Sequence, residues 1–504
     1  MRVSLLLLAA VTSARIALAQ HEGPPHAAGH AHTPALGTVV FPNSGNASAQ
    51  EPFIRGVAFL HSFEYRRAGD AFEEARRADP AFALAYWMGA LTNSSMLWQI
   101  EDLPGARAVL AKLGPTPAAR LARARTTRER MFGAAVEAYF ADVPRAQRIR
   151  AYADSLCRLA QMDTTDNEAA AFAAHALLLR TQVADGDAQR DSLVREGIAL
   201  AQRVVATNPK HPGATHYLIH LYDSPSMAAQ GLAAARAYDM LAPDAEHALH
   251  MPSHIYLQLG LWDDVVKSNE RAWAASRAAA APDWHALSWL QYGYLQQGRV
   301  DAARGLIDTA RRLSGDAPAG YVDARIVLPR LEFQYAAETG RWGEIPVSRP
   351  RYATAEATSD RDRVFRTIET YWLAVDAAQR NDTSALASAA ALWRALADSL
   401  RANERYLPGR AAIALQLDAF VARARGDRAR YLASLNAAAD NERAMPPFVG
   451  PPERLLSLEL LAKELLADGR PADAARAYED VLRKCPNRTQ AVLGLAKAWA
   501  LRPR

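Results

Sequence analysis

Residues 216–223 read HYLIHLYD, and residues 247–264 read HALHMPSHIYLQLGLWDD. His216 and His220 are four apart, as are His250 and His254, and the second pair follows the first by 34 residues. Four positions bring side chains back to one face of a helix. The same chemistry returning after 34 residues marks a repeated helix-turn-helix unit rather than one large irregular core. A third segment, WHALSWLQYGYLQQGR at 284–299, continues the helical pattern and adds His285. Six of the thirteen histidines fall between His216 and His285, so this window is both the fold signal and the candidate site.

Working outward, apolar residues at helical spacing run almost without interruption from Phe53 onward, and strand-like alternation is missing. Glycines punctuate the pattern at Gly260, Gly298, Gly340, Gly426 and Gly469, each closing one helix before a second. Their spacings of 38, 42, 86 and 43 residues describe helix hairpins, the 86 being two units. Gly56, Ala68, Phe72, Ala75 and Pro80 near the start, and Ala462, Ala474, Tyr478 and Pro486 near the end, place small residues, an aromatic and a closing proline at matching points. In these residues the chain resembles the tetratricopeptide repeat family, and as a whole it resembles exported bacterial proteins of that type. The resemblance implies an all-α helical-hairpin solenoid with a right-handed superhelix, here in two arrays. Residues 53–346 are expected to form an N-terminal array with a His-lined concave face. Residues 347–452 are a less regular helical region, and 453–504 a C-terminal unit with a closing helix. GEIPVSRPRYATAEATSD at 343–360 is read as the main break.

Residues 1–19 have the form of a secretory signal: Arg2, the apolar run Leu5–Val11, and Ala17-Leu18-Ala19 before a cut after Ala19. An exported, periplasmic protein is expected, with no transmembrane span in the mature chain. Residues 20–51 carry Gly, Pro, Ser and four histidines (His21, His26, His30, His32) without periodicity, and are read as a disordered leader. Cys157 and Cys485 are far apart and suit buried apolar positions better than a disulfide. The 59 basic and 54 acidic residues are well mixed, with no basic patch interleaved by aromatics, which argues against nucleic acid as a partner.

The resemblance also supplies a register. It puts His216 and His250 at position 5, His220 and His254 at position 9, Asp223 at 12, His247 and His285 at 2, and His61 at 13 of their repeats. Ser288 and Tyr292 take positions 5 and 9 of the third. In the family these positions line the concave groove. The functional reading is a transition-metal site, for Zn, Cu, Ni or Fe, on His216, His220, His250 and His254. Asp223 serves as a ligand or as a carboxylate orienting a ring. His247, His285, Ser288, Tyr292 and His61 are the wider ligand groove. Pro252, between His250 and His254, is the point of tension, because proline inside a helix removes a bond and kinks it.

Three functions compete for these residues. The first is an exported binding protein holding a metal or small polar ligand. The second is a metal-free scaffold for a protein or peptide partner, which is what most tetratricopeptide arrays are. The third is a metal-dependent hydrolase or oxidoreductase with an open coordination position. Against all three stands hydrogen-bonded packing, since the histidines lie beside Tyr217, Tyr222, Tyr256 and Trp284. His175 is read as a core histidine. No nucleophile elbow or phosphate loop is present, and Ser253 beside His254 is too weak a signal to name a nucleophile.

Overall fold

The computed structural model describes residues 34–98, 100–279, 282–315, 322–345, 347, 360–400, 409–446 and 448–502. The signal segment 1–19, the leader up to residue 33 and most of the 343–360 break lie outside the described residues.

Helices dominate, and among the described residues the strands are limited to a ribbon pairing Ser94–Ser95 with Ile100–Glu101. Successive helices pair antiparallel, as in Ala47–His61 with Tyr65–Ala78, Arg410–Ala424 with Arg428–Ala444, and Ser457–Ala467 with Pro471–Lys484. Several of the turns share one construction. The N–H of the residue after the turn's left-handed position reaches back five residues to a carbonyl: Arg299 to Tyr294 (2.8 Å), Asp427 to Ala422 (3.0 Å), Arg470 to Leu465 (2.8 Å) and Leu261 to Tyr256 (2.9 Å). That is the Schellman cap, which satisfies carbonyls a helix end would otherwise leave bare. Gly298, Gly426, Gly469 and Gly260 hold the positive φ. Asn381 (φ 59°) builds the same cap, with Asp382 bonded to Ala377 at 2.9 Å. It is the punctuation mark missing from the 86-residue gap between Gly340 and Gly426.

Small residues mark where helices touch. A Cβ on Gly56 would fall 2.7 Å from the Phe72 ring, so the first hairpin closes only because position 56 carries no side chain. Gly494 meets Tyr478 in the same way.

The chain divides into two compact units. The first comprises the described residues up to Asp223 with Gln230–Ile255 and Arg271–Asp283; the second comprises Ser224–Ala229, Tyr256–Glu270 and the described residues from Trp284 on. In the first unit, the stretch from residue 34 to the Ala47–His61 helix is extended, and disorder does not hold there. Phe41 is buried against Phe53 and Phe132, and the Thr38 N–H bonds the Lys210 carbonyl at 2.8 Å. Its apolar residues follow no period because an irregular segment packs them singly. In the second unit, Arg488 is buried and binds Glu338 (2.7 Å), Glu459 (3.0 Å) and the Tyr292 hydroxyl (3.0 Å), fastening the Thr489–Ala500 helix to the unit. No helix among the described residues is long and apolar enough to cross a membrane.

Candidate metal centre

The site lies in the first unit, and its frame begins at residue 211. Pro212 starts the Pro212–Leu221 helix, where its missing N–H costs nothing, and the His211 ring caps it by accepting from the Ala214 N–H at 3.1 Å. With Nδ1 an acceptor, Nε2 carries the proton of His211 and donates to Glu168 at 3.1 Å. His61 donates to the other Glu168 oxygen at 2.9 Å, and its Nδ1 accepts from the Tyr217 hydroxyl at 2.8 Å. Burial pushes the Glu168 carboxyl up, but His211 and His61 outweigh it and hold it at about 2. Every nitrogen of this trio is committed, so His61 acts as a tie between helices and not as a groove residue. Gly213 packs so close to the His61 ring that a side chain there would collide with it.

One turn on, the commitments stop. His216 donates from Nδ1 to the His61 carbonyl at 2.8 Å, which leaves its Nε2 with a lone pair. That Nε2 and the Nε2 of His220 are buried and have no hydrogen-bond partner among the described residues. Ligand nitrogens of His216, His220 and His247 all lie within 4.8 Å of one another. Burial holds the His216 and His220 imidazoles well below their usual range, with the neighbouring rings adding to the effect. Both are therefore neutral at pH 7, the state in which imidazole binds a metal.

The Pro252 tension resolves by a break. One helix, Glu246–His250, ends at Met251, and Pro252 opens another, Pro252–Leu259. His250 and His254 thus sit on consecutive helices, yet their ring centroids are only 5.1 Å apart. Asp223 accepts from His254 Nδ1 at 2.7 Å, a contact that orients the ring.

His285, Ser288 and Tyr292 belong to the second unit; the Ser288 hydroxyl donates to the His285 carbonyl, and Tyr292 is held by Arg488. An open groove does not describe the histidines either, since His216 and His250 are both 0% exposed.

Phe63, His175, Glu168 and His211 are the site residues that sequence reading missed or discounted. Phe63 occupies the left-handed position of the first hairpin cap (φ 59°), where the other caps carry Gly or Asn. Its ring lies 4.3 Å from His216, and 5.8 Å from both His220 and His247. The signal for it is visible only once the caps are aligned. His175 is buried as expected for a core histidine and is pushed down to about 3 by that burial, but its Nε2 also lacks a hydrogen-bond partner among the described residues.

No family model matches the chain, and no curated protein matches it. Among solved structures it is similar to the APC/C hetero-tetramer Cut9–Hcn1, at 12% identity and TM-score 0.37 over 91% of this chain and 78% of that one. Yeast Tom70 matches at 9% identity and TM-score 0.32, over 90% and 88%. The human IFIT1 dimer with PPP-AAAA matches at 10% and 0.36, over 90% and 91%. The fold is tetratricopeptide-like. That statement rests on the hairpins and caps described above; likenesses this weak transfer no ligand, partner or activity.

Proposed function

We propose that this chain is a metal-binding helical-hairpin protein whose first unit holds a transition-metal ion on His216, His220 and His247. Two observations carry the reading together: His216, His220 and His247 each offer a ring nitrogen within 4.8 Å of the others, and the Nε2 atoms of His216 and His220 are buried with no hydrogen-bond partner among the described residues. A buried donor or acceptor left unmade costs about 1–3 kcal/mol, so two such nitrogens call for an occupant. A tetrahedral ion with bonds of about 2 Å places its ligand nitrogens about 3.4 Å apart, within reach of small ring rotations here. The His61 carbonyl fixes the His216 tautomer as the orienting groups around metal sites do. Packing explains the His61–Glu168–His211 trio, where every nitrogen is used, but not this one.

Three nitrogens leave a coordination position open for water, so the same centre admits hydrolytic chemistry as well as storage or transfer of the ion. Metal-free capture of a peptide is the competing function, as expected of a hairpin scaffold. The deciding measurement is elemental analysis and metal titration of the full chain carrying Gln at His21, His26, His30 and His32, so that the leader cannot contribute. At least one tightly held equivalent is expected, lost in a His216→Gln/His220→Gln variant. Substoichiometric metal in every preparation, with no binding on titration, sinks the proposal.

A further inference from the structure

The trio belongs to a larger figure. His216, His220, His254, His250 and His247 form a closed ring, all within the first unit. Centroid separations are 4.9 Å for His216–His220, 5.2 Å for His216–His247, 5.1 Å for His250–His254, 5.6 Å for His220–His254 and 6.0 Å for His247–His250.

These distances sort themselves. A bond of about 2 Å, plus about 1.1 Å from nitrogen to ring centre, puts the centroids of two imidazoles on one tetrahedral ion about 5 Å apart. The His216–His220, His216–His247 and His250–His254 separations have that value. The two longest are the two that join trio to pair. Five imidazoles on a single ion would instead draw most neighbours in to about 4.5 Å, shorter than any separation present. The ring is too wide for one centre.

The pair is also prepared as the trio is. His254 Nδ1 faces Asp223 at 2.7 Å. His250 Nδ1 lies 3.4 Å from Ser253 Oγ, whose own proton goes to the His250 carbonyl at 2.7 Å. In both rings, as in His216, the Nδ1 edge meets a group that orients the ring.

We infer that the ring holds two transition-metal ions side by side, one on His216, His220 and His247 and the second on His250 and His254. Water or an added ligand completes the second ion's coordination. The inference rests on the metal-binding reading above, and its test separates the two.

The full chain with the four leader histidines replaced by Gln is loaded with Zn²⁺, dialysed and assayed for metal per chain. Two ions are expected. One ion overturns this inference and leaves the single-metal function standing, whereas none overturns both. Loading with Cu²⁺ adds a second readout. Neighbouring Cu²⁺ ions couple magnetically, so the resonance spin count is expected to fall well below the copper content. Two coppers with a full spin count overturn the pairing. A His250→Gln/His254→Gln variant is expected to keep one ion with a full spin count. If it loses both ions while circular dichroism shows the helices intact, the division into trio and pair is wrong.

Discussion

Phe63 shows how much can hang on one backbone angle. A left-handed conformation costs an ordinary side chain roughly 1–2 kcal/mol, and a bulky residue at positive φ is an outlier that surroundings must impose. Here the ring is pinned among His216, His220 and His247, and its packing outweighs the strain. Removing it should cost stability, but Phe63→Gly should cost about 1 kcal/mol less than Phe63→Ala, because only glycine also relieves the angle. Denaturant unfolding of the two variants checks this; an alanine variant as stable as the glycine one would mean that the angle carries no strain. The histidines teach a related lesson. Spacing brought His216 to notice and the repeat register brought His61, yet one has both nitrogens engaged and the other has a buried nitrogen without a partner among the described residues, a difference no sequence position encodes.

Among the helices, the repeated caps set the architecture. Many hairpins turn on one residue that accepts positive φ, and the glycine spacing made most of these legible beforehand. Asn381 was missed because asparagine reaches the left-handed region through its short polar side chain and leaves no gap in the composition. The expected outcome is that Asn381→Gly is neutral or stabilising, while Asn381→Ala costs about 1 kcal/mol at the same cap. Thermal unfolding of both variants measures it, and equal loss in both would remove Asn381 from the series. Pro252 was legible as a break point, but not the consequence that two short helices still bring His250 and His254 together.

In the molecule as a whole, buried ionisable groups tie stability to pH in opposite directions. Glu168 is depressed to about 2, so its contribution is present above the ordinary carboxylate range and is lost as pH falls through 2. Glu369, in the second unit, is buried with neither carboxylate oxygen hydrogen-bonded among the described residues, and burial pushes it up to about 8. A raised value means the protonated form suits the fold: its stability is present below the ordinary range and drains away as pH rises towards 8, by at most about 1.4 kcal/mol per pH unit. Glu369→Gln should therefore be more stable than the parent at pH 8 by more than about 1 kcal/mol, and indistinguishable from it at pH 4. Chemical denaturation at the two pH values tests this; a constant difference would show that Glu369 does not titrate in that window.

What the sequence determined by itself was whatever repeats or acts locally. Helical period, glycine caps, small and aromatic residues at matching points, and histidines returning after 34 residues all follow from short-range geometry that recurs along the chain. What only the tertiary structure decided was which nitrogens are used. His61 and His211 come from helices about 150 residues apart and meet over Glu168, so packing between distant helices consumes their hydrogen-bonding capacity. The same packing buries His216 and His220, fixes the His216 tautomer through the His61 carbonyl, and leaves both Nε2 atoms without a hydrogen-bond partner among the described residues. Coordination and hydrogen bonding depend on distances of 2–3 Å, and distances of that size between remote segments exist only once the helices are stacked.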